Sequence, residues 1–146
     1  MANSFLEPRA CFAISSTKRS LNAQAWVELA QGKRETTLAL MRQSADMQDA
    51  SEKSPVTPGN LVPARELLGE MLLELKQPAL ALKEFEASAM HDPNRFRGTY
   101  GAAVAAAQAG DAAKARTYYA RLMELAAKGD PRPELQRAKT YLASGD

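Results

Sequence analysis

In the middle of this 146-residue chain, Arg65-x2-Leu68-Gly69-x2-Leu72 is followed by Ala81-x3-Phe85 and then by Pro93. These large and small residues fall at the offsets of a helix–turn–helix repeat of about 34 residues. Moving 34 positions along from Arg65, Ala81 and Phe85 leads to Thr99, Ala115 and Tyr119, with Gly110-Asp111 in the intervening turn. The small-then-aromatic pair is kept in register, so two consecutive helical hairpins of one design are expected. Aromatic residues are few, and alanine dominates Tyr100-Gly-Ala-Ala-Val-Ala-Ala-Ala. Such a run favours close-packed helices over a sheet, and the fold class is all-α.

The periodicity sets the remaining elements. Residues 1–19 show no sustained period and read as a flexible leader ahead of a helical domain over 20–146. Ser20 is a candidate N-cap for a helix over 21–31, where Ala23, Trp26, Val27 and Ala30 form an apolar stripe. Gly32 ends that helix, and a second over 34–50 carries Leu38, Met41 and Ala45, which makes a first hairpin of 21–50. Residues 51–60, with Pro55, Pro58 and Gly59, read as an ordered insertion between repeats, since neither side buries its apolar face alone. Hairpins over 62–91 and 94–127 follow. Pro78 suits a first helical turn, and Asp92 is the candidate cap of the third hairpin. Pro131-Arg-Pro133 opens a short helix over 133–143 whose polar outer face suits the closing cap of a stacked array.

The 65–93 pattern and its echo resemble the tetratricopeptide repeat (TPR) family, and Trp26-x2-Leu29-Ala30 is similar to the start of a further repeat. The stretches Thr57-Pro-Gly-Asn-Leu-Val-Pro-Ala-Arg-Glu-Leu-Leu-Gly69 and Asp92-Pro-Asn-Arg-Phe-Arg97 look like the C-terminal part of longer bacterial TPR proteins. That similarity covers residues 21–143. It implies a right-handed superhelix of three hairpins plus a capping helix. It also implies non-catalytic protein–protein interaction, as an adaptor or scaffold, with a peptide or protein docking on a concave surface lined by the first helix of each hairpin. On those helices the corresponding positions are Glu66, Glu70, Leu73 and Glu74, then Arg97, Tyr100, Val104 and Gln108. Leu73 and Tyr100 stand as anchors rimmed by charge, and the acidic row favours a basic or amide-rich ligand. TPR domains that clamp a terminal carboxylate need basic or amide groups where Glu66 and Glu70 stand, so that activity is not carried over.

Other chemistries find little support. The formal charge of +2 comes from the first twenty residues, and from residue 21 onward sixteen basic residues balance sixteen acidic ones. A nucleic-acid binder would show a basic face in its folded part. His91 is the single histidine and Cys11 the single cysteine, too few for the usual zinc sets. Ser88, His91 and Asp92 sit together on one helix end, which does not give a catalytic relay its geometry. Gly98-x2-Gly101 lies within an alanine-rich helix and reads as packing rather than a phosphate loop. Neither an enzyme nor a cofactor is expected. No apolar run reaches the roughly 20 residues of a membrane span, and the cytoplasm is the expected compartment. Trp26 reads as a core residue. The alternative is an uncovered apolar edge on the first hairpin, where an earlier repeat would stack. The chain would then be an oligomerisation fragment of a longer solenoid without a groove ligand, self-associating through that uncapped hairpin.

Overall fold

The computed structural model describes residues 7–50 and 61–144, so the 51–60 connector and the first residues of the leader lie outside the described residues. Seven helices and no strands are present among them: α1 (Glu7–Ala30), α2 (Arg34–Asp49), α3 (Ala64–Glu74), α4 (Pro78–His91), α5 (Phe96–Gln108), α6 (Ala112–Leu125) and α7 (Pro133–Ala143). The chain divides into two compact units, Met1–Ala64 and Arg65–Asp146.

In the first unit, α1 packs on α2. α1 begins at Glu7, well inside the stretch read as a leader, and Ser20 is therefore mid-helix rather than a cap. The physical reason lies in Glu7-Pro8. Proline is tolerated in a first helical turn because its missing N–H is unbonded there, and its fixed φ already suits the helix. The inner face is built on Ala25, with Leu38, Met41 and Ala45 of α2 buried. Thr37 and Ser44 are buried beside them, and the Thr37 hydroxyl donates to the Lys33 carbonyl at 2.9 Å. Trp26 corrects the expectation of a core tryptophan, being 40% exposed, and Val27 beside it is 53% exposed.

The second unit is a run of hairpins packed in sequence, α4 on α5, α5 on α6 and α6 on α7. Phe85 of α4 is 1% exposed and its ring lies between Gly69 of α3 and Gly101 of α5. A methyl group on Gly69 would stand 2.8 Å from the ring, and one on Gly101 would come closer still. Both glycines are thus places where two helix backbones close on one aromatic ring. Tyr119, in the register of Phe85, fills the equivalent place. It is buried with Ala103, Leu122, Leu135 and Ala138, and its ring centroid lies 4.8 Å from that of Tyr141 on α7. α7 therefore closes the core over its last aromatic residue.

The turns repeat as well. Lys76 and Gly110 occupy equivalent places and both are left-handed, at φ 59° and 82°. In each turn the following residue, Gln77 or Asp111, donates its N–H to a carbonyl five residues back, at 2.8 and 2.9 Å. That is the helix-ending pattern that suits glycine best. Asp111 also caps α6, its carboxylate accepting from the Lys114 N–H at 3.0 Å. Asp92 does not cap α5. The N-cap there is Arg95, extended at φ −81° and ψ 125° and without a side-chain cap, while the Asp92 N–H closes α4 on the Ser88 carbonyl at 2.9 Å.

Candidate partner-binding face on α3 and α5

α3 and α5 are neighbours because Phe85 is clamped between them. Three residues before each of the two clamping glycines, Glu66 meets Gly98: a methyl group on Gly98 would stand 2.7 Å from the Glu66 carboxylate. The alanine-rich sequence of α5 is what permits this approach. Gly101, Ala102, Ala103, Val104, Ala105 and Ala106 are all buried, and small side chains leave room for helices on both sides.

Of the eight residues expected on this face, the structure treats the acidic ones in an unexpected way. Glu66 is 1% exposed and is no part of a solvated row. Its Oε1 accepts from Arg95 Nε at 2.8 Å, whereas its Oε2 is buried without a hydrogen-bond partner. Burial pushes the Glu66 carboxyl above its ordinary range, with Arg95 first and then Arg97 pulling the other way. Glu70 accepts a bidentate pair from Arg97, Nε at 2.5 Å and Nη2 at 2.6 Å. That bond in turn raises the Arg97 guanidinium above its usual value. Two arginines from the start of α5 thus neutralise the two glutamates of α3, so the acidic row does not present its charge to a ligand. Arg95 was not among the expected site residues. An ion pair spanning 29 positions leaves no local pattern, and only the 34-residue register offered a hint that these helices meet.

The apolar members divide. Val104 is 8% exposed and belongs to the core of α5 rather than to the surface. Tyr100 is half-buried and packs against the Tyr119–Leu135 cluster, so it serves both the core and the face. Leu73 is half-buried near the C-terminal end of α3, while Glu74 and Gln108 are exposed. The structure therefore keeps Leu73, Tyr100, Glu74 and Gln108 accessible, ties up Glu70 and Arg97 with each other, and removes Glu66 and Val104 from the surface.

On the far side of the unit, Glu86 of α4 accepts from both Lys114 at 2.7 Å and the Tyr118 hydroxyl at 2.9 Å, both on α6. Burial and the Glu86 carboxylate push the Tyr118 phenol up to about 12. Arg65 bonds Glu84 at 2.7 Å, and Arg121 donates to Asn94 at 2.7 Å. These pairs hold hairpins together. His91 is exposed at the end of α4. Among the described residues, no group of three or more His, Cys, Asp or Glu is placed to hold a metal ion, and no helix is long and apolar enough to cross a membrane.

Neither a family model nor a curated protein matches the sequence. Solved structures do match the fold. PcrH from Pseudomonas aeruginosa superimposes with a TM-score of 0.63 at 20% identity, covering 88% of this chain and 91% of the other. The Yersinia enterocolitica type III secretion translocator chaperone SycD, in an alternative dimer, gives 0.65 at 21% identity over the same shares. A TPR-like protein from Chlorobium tepidum gives 0.62 at 15% identity, covering 91% and 96%. The protein has an all-α, TPR-like helical-repeat fold.

Proposed function

We propose that this protein is a non-catalytic adaptor that binds a protein or peptide partner on the α3–α5 face. The observation that carries the reading is the pair of arginine–glutamate bridges. Arg95–Glu66 and Arg97–Glu70 fix two helices side by side without help from a partner, so the face is organised before anything binds. Preorganisation of this kind lowers the entropy lost on association. Leu73 and Tyr100 are the anchors, and Glu74 and Gln108 supply rim hydrogen bonds.

The internal pairing changes the ligand chemistry first expected. With Glu66 and Glu70 neutralised, the face favours an apolar side chain carried on an amide-rich segment over a string of lysines and arginines. The likeness to SycD, a secretion translocator chaperone, supports a role in holding another protein, because holding a partner needs no reaction centre. TPR-like folds host many tasks, however, and the site rather than the fold carries the argument.

A photo-crosslinking amino acid at Gln108 tests this in the native host, with the same group at exposed Arg132 as a control. The expected result is a discrete crosslinked partner from position 108 that is absent from position 132. Equal crosslinking to the same proteins from both positions would contradict the assignment.

A further inference from the structure

The closing end of the second unit carries a polar cluster that the α3–α5 face shares only through Tyr100. Tyr119 of α6 stands in the register of Phe85 but ends in a hydroxyl. Its ring is 1% exposed and lies 4.8 Å, centroid to centroid, from that of Tyr141 on α7. Tyr100 of α5 packs against the same buried group. Arg137 of α7 acts on the Tyr119 phenol as a nearby positive charge and as a hydrogen-bond donor, and the Tyr100 and Tyr141 phenols act on it as well. Three helices thus bring three phenols and one guanidinium to one place.

What this cluster lacks is an acid. A guanidinium carries only donors, and each phenol offers a donor of its own beside its oxygen, so the group has more protons to give than oxygens to take them. The glutamates that reach α5 and α6 are occupied: Glu66 holds Arg95, Glu70 holds Arg97 and Glu86 holds Lys114. Glu134, one turn before Arg137 on α7, forms no ion pair with it among the described residues. Arg137 is exposed while Tyr100 and Tyr141 are half-buried, so a ligand meets donors that packing has already set in place. We infer that Arg137, with the phenols of Tyr100, Tyr119 and Tyr141, binds a carboxylate, the side chain of an aspartate or glutamate on the partner segment. One guanidinium matches the single charge of a carboxylate, and its planar fork suits both oxygens. A doubly charged phosphate would leave a charge unmatched. The inference rests on the α3–α5 reading for its partner, because Tyr100 belongs to both places: a segment anchored on Tyr100 meets Arg137 next.

Titration of the full chain with acetate, at constant ionic strength and read by the NMR signals of the arginine Nε–H groups, tests the site without any partner. The Arg137 signal is expected to move along a saturating curve, while that of exposed Arg42 drifts weakly and without saturation. Tyr141→Phe and Tyr100→Phe keep their rings and lose a donor, and each is expected to weaken acetate binding about threefold. Circular dichroism confirms that each variant is folded. An Arg137 signal that moves no more than that of Arg42 overturns the inference. So does acetate binding indifferent to both phenylalanine variants, the mark of a lone arginine. The source of the carboxylate is read from the position-108 crosslink: Arg137→Gln is expected to lower its yield about tenfold. An unchanged yield in Arg137→Gln overturns the assignment to a partner's acidic side chain and leaves a site for free carboxylates. A wild type without that crosslink contradicts the α3–α5 reading itself, and the acetate titration still decides the carboxylate site.

Discussion

Trp26 and Phe85 are both large aromatic residues on helices of a paired hairpin, and they end in opposite environments. Phe85 is enclosed by two glycines on two different helices, at 1% exposure. Trp26 has α2 on the other side of its own helix and stands 40% exposed. The difference is one of neighbours. In the Arg65–Asp146 unit each hairpin has another packed against it, so an aromatic ring on a second helix finds a backbone on either side. α1 in its unit has α2 on one face only, and Ala25 is the residue that fits there. A ring needs a cradle of small residues from a second element, and its apolar character alone does not bury it.

The sharpest way to test that comparison is to remove both rings. Phe85→Ala leaves a void between Gly69 and Gly101 and should cost about 3–5 kcal/mol of stability, read as a lower urea midpoint. Trp26→Ala should change the stability of the isolated monomer by less than about 0.5 kcal/mol, since little packing is lost. Equal losses from the two would break the comparison.

A second test bears on what lies beside the Phe85 cradle. Glu66 has its carboxyl raised above the ordinary 4.5 by burial. The folded protein therefore holds that proton at a pH where the unfolded chain has released it. The stability from this group is fully present below about 4.5 and declines as pH rises through the folded value. Glu66→Gln removes the titration, so its urea midpoint should lie flatter than wild type across that window. A wild-type midpoint that rises more steeply than the variant's over the same window would mean that Arg95 outweighs burial.

Two smaller effects concern the turns that set hairpin phase. Asp111→Ala removes the bond to the Lys114 N–H and should destabilise by about 1 kcal/mol. Lys76→Gly relieves a left-handed lysine in the place that Gly110 fills, and should stabilise by about 0.5–1 kcal/mol. A loss of thermal stability in Lys76→Gly would show that the lysine side chain contributes more than its backbone strain takes away.

Much of the second unit is legible in the sequence because its signals agree. Ala81, Phe85, Ala115 and Tyr119 repeat at one interval. Pro78 and Pro133 open their helices, and Gly110-Asp111 forms the turn between α5 and α6. The first unit is less legible. Ala23, Trp26, Val27 and Ala30 announce a helix with an apolar stripe, but a period does not say whether the stripe faces the partner helix or water. The start of α1 escapes the periodicity because Glu7-Pro8, which interrupts an apolar patch, is also a helix opening. On the α3–α5 face, helical spacing finds Leu73 and Tyr100. The same spacing misplaces Glu66, because its burial depends on Gly98 and Arg95, a glycine and an arginine brought in from elsewhere in the chain.

We propose that partner binding belongs to the α3–α5 face and not to the exposed stripe of α1. One comparison addresses it directly: affinity capture from the native host with wild-type, Leu73→Glu and Trp26→Glu baits, each shown by circular dichroism to be folded. The expected result is a captured protein that is lost with Leu73→Glu and retained with Trp26→Glu. A partner retained by Leu73→Glu and lost with Trp26→Glu would contradict it, and would move the binding surface to α1.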